Sequence, residues 1–179
     1  GILVASPGPR ARRAAIFAHM GAENMLVIAV DGLRAAALGA YGNTTFPTPA
    51  LDEFAAQSLL FDSCFVDSGD LATIYGSLWG GSASLAKSLN AQGYSTTLVT
   101  DDPAVASIGA AAGFDETVQV TGASDERADD VSETAFANIF AAVSEQLESE
   151  AKPKFVWVHS RGMLGPWDAP LELQEPLLE

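Results

Sequence analysis

The sequence predicts an α/β domain built on a mostly parallel sheet with helices on both faces. Three observations predict it. Met25–Val30 is a continuous apolar run, MLVIAV, that stops at Asp31-Gly32; strands buried on both faces read this way. Further short apolar or β-branched runs recur at residues 95–99, 117–120 and 155–159. Segments with helical spacing and capping residues separate these runs, and strands alternating with helices favour a parallel sheet.

The elements follow in order. Residues 1–23 hold the breaker cluster Ser6-Pro7-Gly8-Pro9 and read as an arm or linker. The domain proper spans residues 24–170 and a Pro-containing acidic tail spans 171–179. Asp31 falls at the carboxyl end of the first strand, where open α/β sheets place their ligands. Two readings of it stand: the remnant of a metal site, or a turn aspartate before Gly32. Thr48 is a candidate N-cap, with Pro49 in the first turn and Asp52 and Glu53 near the positive end of the dipole. Leu51, Phe54, Ala55 and Leu59 share one helical face. Residues 60–66 are read as a second, short strand. Residues 71–79 are read as a helix ended by Gly80-Gly81, and Ser82 or Ser84 caps the next, which stops at Gly93. The β-branched Thr96, Thr97 and Val99 mark a strand. Asp101-Asp102-Pro103 opens another helix that closes near Gly113. Residues 122–130 are a polar loop, and 131–150 form a long amphipathic helix. The strand at 155–159 is followed by a loop containing Pro166 and Pro170.

Composition narrows the function. The 179 residues are 48% apolar, enough for a real core, and carry a net charge of −14. Nucleic acid is not the expected partner, because binding it needs clustered Lys and Arg. Anionic membrane surfaces are disfavoured for the same reason, and no apolar run approaches the roughly 20 residues of a membrane span. The single cysteine, Cys64, excludes an intrachain disulfide and, among Phe61, Phe65 and Val66, reads as a buried inert thiol. The compartment is not set by any signal; the balance favours the cytoplasm.

Five segments carry a family resemblance. Residues 24–42 read NMLVIAVDGLRAAALGAYG, and residues 48–66 read TPALDEFAAQSLLFDSCFV. SLAKSLNAQGYSTTLVT follows at 84–100, then Gly113-Phe114-Asp115, then KPKFVWVHSRGMLGPWDAP at 152–170. In this order they resemble the first part of the sulfatases of the alkaline-phosphatase superfamily. The resemblance implies the alkaline-phosphatase-like fold in truncated form, because the family's later Asp-His-Gly segment has no counterpart here. It also implies sulfate-ester chemistry with a divalent metal and a formylglycine nucleophile made in a Cys/Ser-x-Pro-x-Arg motif.

At the matching positions the chemistry is missing. Asp31 stands at the first metal-binding aspartate, but Gly32 replaces the second. Asp67 occupies the nucleophile position, Gly69 the Pro and Leu71 the Arg; sliding by one residue offers Ser68 as nucleophile but still no Arg. The family's Gly-Lys-Trp-His becomes Thr100-Asp101-Asp102-Pro103, and its Pro-His becomes Met163-Leu164. Losing one oxyanion donor costs about 10²–10³ in rate, so the resemblance implies a domain without useful sulfatase activity, acting in binding or as a scaffold. The alternative is a metal-dependent hydrolase of sulfate or phosphate esters that uses non-standard residues or a partner chain. The candidate catalytic residues are therefore Asp67 and Ser68, and the candidate metal ligands Asp31 and Asp101. With Asp67 and Asp70, the last two are candidates for a calcium or magnesium site, since hard cations take carboxylate oxygens; solvated surface acids are the competing reading. A serine nucleophile needs a base, and His159 reads as a packed strand-end histidine. Trp79, Trp157 and Trp167 read as core or interface aromatics rather than a sugar platform. The expected ligand is a small molecule or protein of unspecified identity, and homo-oligomerisation is one way to cover the sheet edge.

Overall fold

In the computed structural model the described residues are 2–4, 23–80, 84–148 and 152–174. Five strands form one sheet: β1 (Ile2–Val4), β2 (Met25–Val30), β3 (Ser95–Thr100), β4 (Glu116–Gln119) and β5 (Lys154–Ser160), in the order β1-β2-β5-β3-β4. β2, β5, β3 and β4 run parallel, and β1 pairs antiparallel with β2 at the edge. The α/β fold with a mainly parallel sheet is therefore the observed one. β1 lies inside the segment read as an arm or linker; three apolar residues beside a Pro-Gly cluster carry no long-range signal of their pairing partner. The breaker cluster at 6–9, His19, Ser82, the expected helix end at 150 and the tail beyond 174 lie outside the described residues.

Alternation along the strands divides the core in two. On one face Phe155 and Trp157 of β5 and Leu98 of β3 meet Tyr75, Trp79, Ala86, Val105 and Phe114. These come from α2 (Leu71–Tyr75), a π-helical turn over Gly76–Gly80, α3 (Leu85–Asn90), α4 (Pro103–Ala106) and the residues just before β4. Tyr75 stacks on Trp79 with ring centroids 4.2 Å apart, and Trp79 meets Phe114 and Trp157 edge to face. On the other face Val156 and Val158 of β5 and Val99 of β3 pack against Ile139 and Val143 of α5 (Ala135–Glu148). Helices thus cover both faces, and β5 lies between β2 and β3 with its two faces buried under different layers.

Caps explain the helix starts. Asp70 accepts from Thr73 N, Ser84 from Lys87 N and Asp102 from Ala104 N. α1 (Pro49–Ala56) is different: Thr48 makes no side-chain cap, and its Oγ1 donates to Asp52 and accepts from Gly39 N. Asp52 also accepts from Ala40 N, and a Cβ on Gly39 would stand 2.3 Å from its carboxylate. The Leu-Gly-x-Tyr-Gly turn and the Thr-Pro-x-Leu-Asp helix are thereby one interlocked unit.

Four expectations are corrected. The helix expected from Asp101-Asp102-Pro103 to near Gly113 ends at Ala106, and Gly109–Gly113 is a separate 3-10 turn. Residues 60–66 form no strand: they find no ladder partner, and Phe61, Phe65 and Val66 stay exposed, Phe65 at 90%. Cys64 within them is exposed rather than buried. The helix expected over 131–150 is broken at Thr134, whose extended backbone separates a 3-10 turn at Val131–Glu133 from α5. There Thr134 Oγ1 accepts from Ala137 N and Asp168 accepts from Ala135 N, which stabilises the later start. Among the described residues no helix is long and apolar enough to cross a membrane.

Candidate functional site

The carboxyl ends of β2, β5 and β3 bring together Asp31, His159 and Asp102. His159 is the penultimate residue of β5 and fully buried. Its Nδ1 lies 2.5 Å from the Tyr75 hydroxyl. Its Nε2 lies 3.6 Å from Asp31 Oδ2 and 4.0 Å from Asp102 Oδ2, and it makes no hydrogen bond among the described residues. Both carboxylates retain some exposure, so the imidazole is buried beneath two partly exposed acids.

Two opposing effects act on the imidazole. Burial pushes its pKa below the ordinary value, and the Asp31, Asp102 and Asp101 charges pull it back up. Burial wins, so the ring is neutral at pH 7. Burial, and then the Asp31 charge, push the Tyr75 phenol well above its usual range, so it keeps its proton. A neutral phenol and a neutral imidazole share one hydrogen bond. The carboxylates favour a proton on Nε2, so Tyr75 O–H donates to Nδ1.

Asp101 and Asp102 are adjacent but point to opposite faces of the sheet. Asp101 is buried; its Oδ2 accepts from Ser160 Oγ at 3.1 Å and its Oδ1 from Arg161 N at 2.8 Å. It ties the end of β3 to the turn after β5. Asp102 caps α4 with Oδ1 and turns Oδ2 to His159.

The site residues expected from sequence are thus dispersed. Asp31 lies beside His159, while both oxygens of Asp101 are engaged on the other side of the sheet. Asp67 is exposed, and Ser68 Oγ accepts from Asp70 N just before α2. Among the described residues no hydrogen bond or ion pair joins Asp67 or Ser68 to Asp31, Asp101 or His159. Gly32 has a left-handed backbone, φ +73°, and a Cβ there would stand 3.0 Å from the Met163 backbone. The loss of the second aspartate therefore goes with a close approach of the loop after β5. Among the described residues no group of three or more His, Cys, Asp or Glu side chains is arranged to hold a metal ion.

Sequence reasoning missed Tyr75 and Asp102. Asp102 had a local signal: it precedes Pro103 at a helix start, which fixes its carboxylate there. Tyr75 had none, because 84 positions separate it from His159. A cavity of about 440 Å³ on the α5 side of β5 was also missed.

The family model described as Sulfatase matches residues 23–176. No curated protein and no solved structure matches the chain.

Proposed function

The chain belongs to the sulfatase family, and from that premise we propose that it does not hydrolyse sulfate esters and serves as a binding or scaffold domain. One observation carries the reading: the strand ends set Asp31 and Asp102 around a neutral buried His159, where an ester dianion calls for cations. The positions that resemble the family's Arg, Lys and His hold Leu71, Asp101 and Leu164. Leu71 packs against the aromatic core, Asp101 bonds the turn after β5, and Leu164 is exposed. None of them offers a donor to an anion.

Sulfatases generally use a divalent metal, and the donors here fit one poorly. Gly32 has no ligand atom, and the oxygens of Asp101 already accept hydrogen bonds. The test is turnover of an aryl sulfate by the purified chain with calcium or magnesium added. The expected rate equals that of a heat-treated control; a rate well above it overturns the reading.

A second reading has one observation on its side. Nε2 of His159 is buried without a hydrogen bond and faces two carboxylates, an arrangement suited to handling a proton. In that reading the chain hydrolyses sulfate or phosphate esters using non-standard residues or a partner chain. Phosphate- or phosphonate-ester turnover that His159→Gln abolishes would favour it.

A further inference from the structure

We propose that the cavity on the α5 side of β5 binds a small apolar amine in its ammonium form, its hydrocarbon body held by Phe136, Met163 and Trp167 and its positive charge met by the carboxylates of Asp168 and Asp101. The cavity measures about 440 Å³, and small-molecule sites run to about 300–1,000 Å³. The end of β5, the first turn of α5 and the loop carrying Met163 and Trp167 all line it. Met163 and Trp167 remain 42% and 63% exposed although they border a hollow. Exposed apolar groups gathered around one hollow mark an interaction site, whereas scattered ones do not.

The charge of the occupant follows from what the lining leaves unused. Its side-chain donors are already engaged: the hydroxyl of Ser160 is donated to Asp101, that of Thr134 to Val131 O, and the indole N–H of Trp167 to Met163 O. Its acceptors are not used up, because an ionised carboxylate offers about four lone-pair sites. Asp101 accepts from Ser160 Oγ and Arg161 N, and Asp168 accepts from Ala135 N. Those three partners line the cavity too, so the bonds fix both carboxylates at its wall. Among the described residues no Lys or Arg forms an ion pair with either carboxylate. Arg161 is the basic residue of the lining, and it is exposed, where a guanidinium on a long stem turns to water. Two carboxylates against one exposed guanidinium leave the wall negative, with acceptors to spare. An ammonium brings the missing donors and the opposite charge, and aromatic rings such as those of Phe136 and Trp167 attract a cation as well as an alkyl chain. The site lies across β5 from His159, so its test does not depend on whether the residues beside Asp31 hydrolyse anything.

The full chain is titrated with octylammonium, with 1-octanol and with octanoate, following tryptophan fluorescence and calorimetric heat. Octylammonium is expected to saturate a single site and to bind more tightly than either of the others. Asp168→Asn keeps an oxygen for Ala135 N and removes the charge; it should weaken octylammonium by about tenfold or more and leave octanol unchanged, as loss of a charge-assisted pair does. Trp167→Ala should weaken both ligands. Because Trp167 is mostly exposed, that variant keeps its fold, and near-UV circular dichroism checks this for both variants. Glu145→Gln removes an exposed acid of α5 outside the cavity and should leave octylammonium binding unchanged. Absence of saturable octylammonium binding overturns the proposal. So does octanoate binding as tightly, an equal loss in Asp168→Asn and Glu145→Gln (attraction to the acidic surface as a whole), or a dimer in light scattering that Trp167→Asp converts to monomer.

Discussion

The two sides of β5 end in opposite environments. On one side Phe155, Trp157 and His159 run under α2 and the π-helical turn into a filled aromatic layer, and the last of them is wholly enclosed. On the other side Val156 and Val158 are sealed by α5, but Ser160 opens onto a cavity rimmed by exposed Met163 and Trp167. One strand thus ends beneath a pair of carboxylates on one side and beside an apolar hollow on the other. The difference lies in what lies above the strand end: large rings reach over it on the first side, whereas on the second α5 begins at Ala135 and the loop carrying Met163 and Trp167 flanks a hollow.

The largest effect should come from emptying the closed side. Trp79 is 1% exposed and touches Tyr75, Phe114 and Trp157. Trp79→Ala should cost about 3–5 kcal/mol in urea unfolding, while Trp167→Ala on the open side should stay within about 0.5 kcal/mol. Equal losses would erase the contrast.

Breaking single polar links should cost less. Tyr75→Phe leaves Nδ1 of His159 buried without its donor, and Asp101→Ala strands Ser160 Oγ and Arg161 N. Each should cost about 1–3 kcal/mol by the same urea measurement. Gly32→Asp, which restores the family's second aspartate, should also destabilise by about 1–2 kcal/mol or more, because a side chain at φ +73° is strained and meets Met163. If that variant instead gained stability, the close approach of the loop after β5 would not be the reason for the glycine.

The smallest effect is a pH slope. Burial holds the His159 pKa below its unfolded value of about 6.5. Between the two values the unfolded chain binds the extra proton, so stability is full above about pH 6.5 and declines as pH falls through that window. Urea midpoints from pH 7.5 to 5.5 should fall more for the natural chain than for His159→Gln. Equal slopes would mean that the carboxylates cancel the effect of burial, and a smaller fall for the natural chain that they outweigh it.

The sheet was largely legible because β2 and β5 carry apolar runs and β3 is rich in β-branched residues, as strands buried on both faces require. Caps read well where Asp or Ser stands before a helix, as at Asp102 and Ser84. Residues 60–66 misled because apolar and aromatic composition describes a strand's suitability, not the presence of a neighbour to pair with. The site was legible only at Asp31. Alignment to a family position assigned weight to Asp101, yet period-two alternation sends it to the far face and leaves Asp102 beside His159. Tyr75 and His159 meet only through the packing of α2 on β5, which no local pattern encodes.

The central claim is that the carboxylates beside His159 reject the anion that the sulfatase family processes. The direct test is a sulfate titration of the full chain at pH 7, observing the ¹⁵N resonances of the His159 ring. The account predicts no saturable shift at Nε2. A shift that saturates with sulfate, and that disappears on replacing a lysine or arginine of this chain, would contradict it.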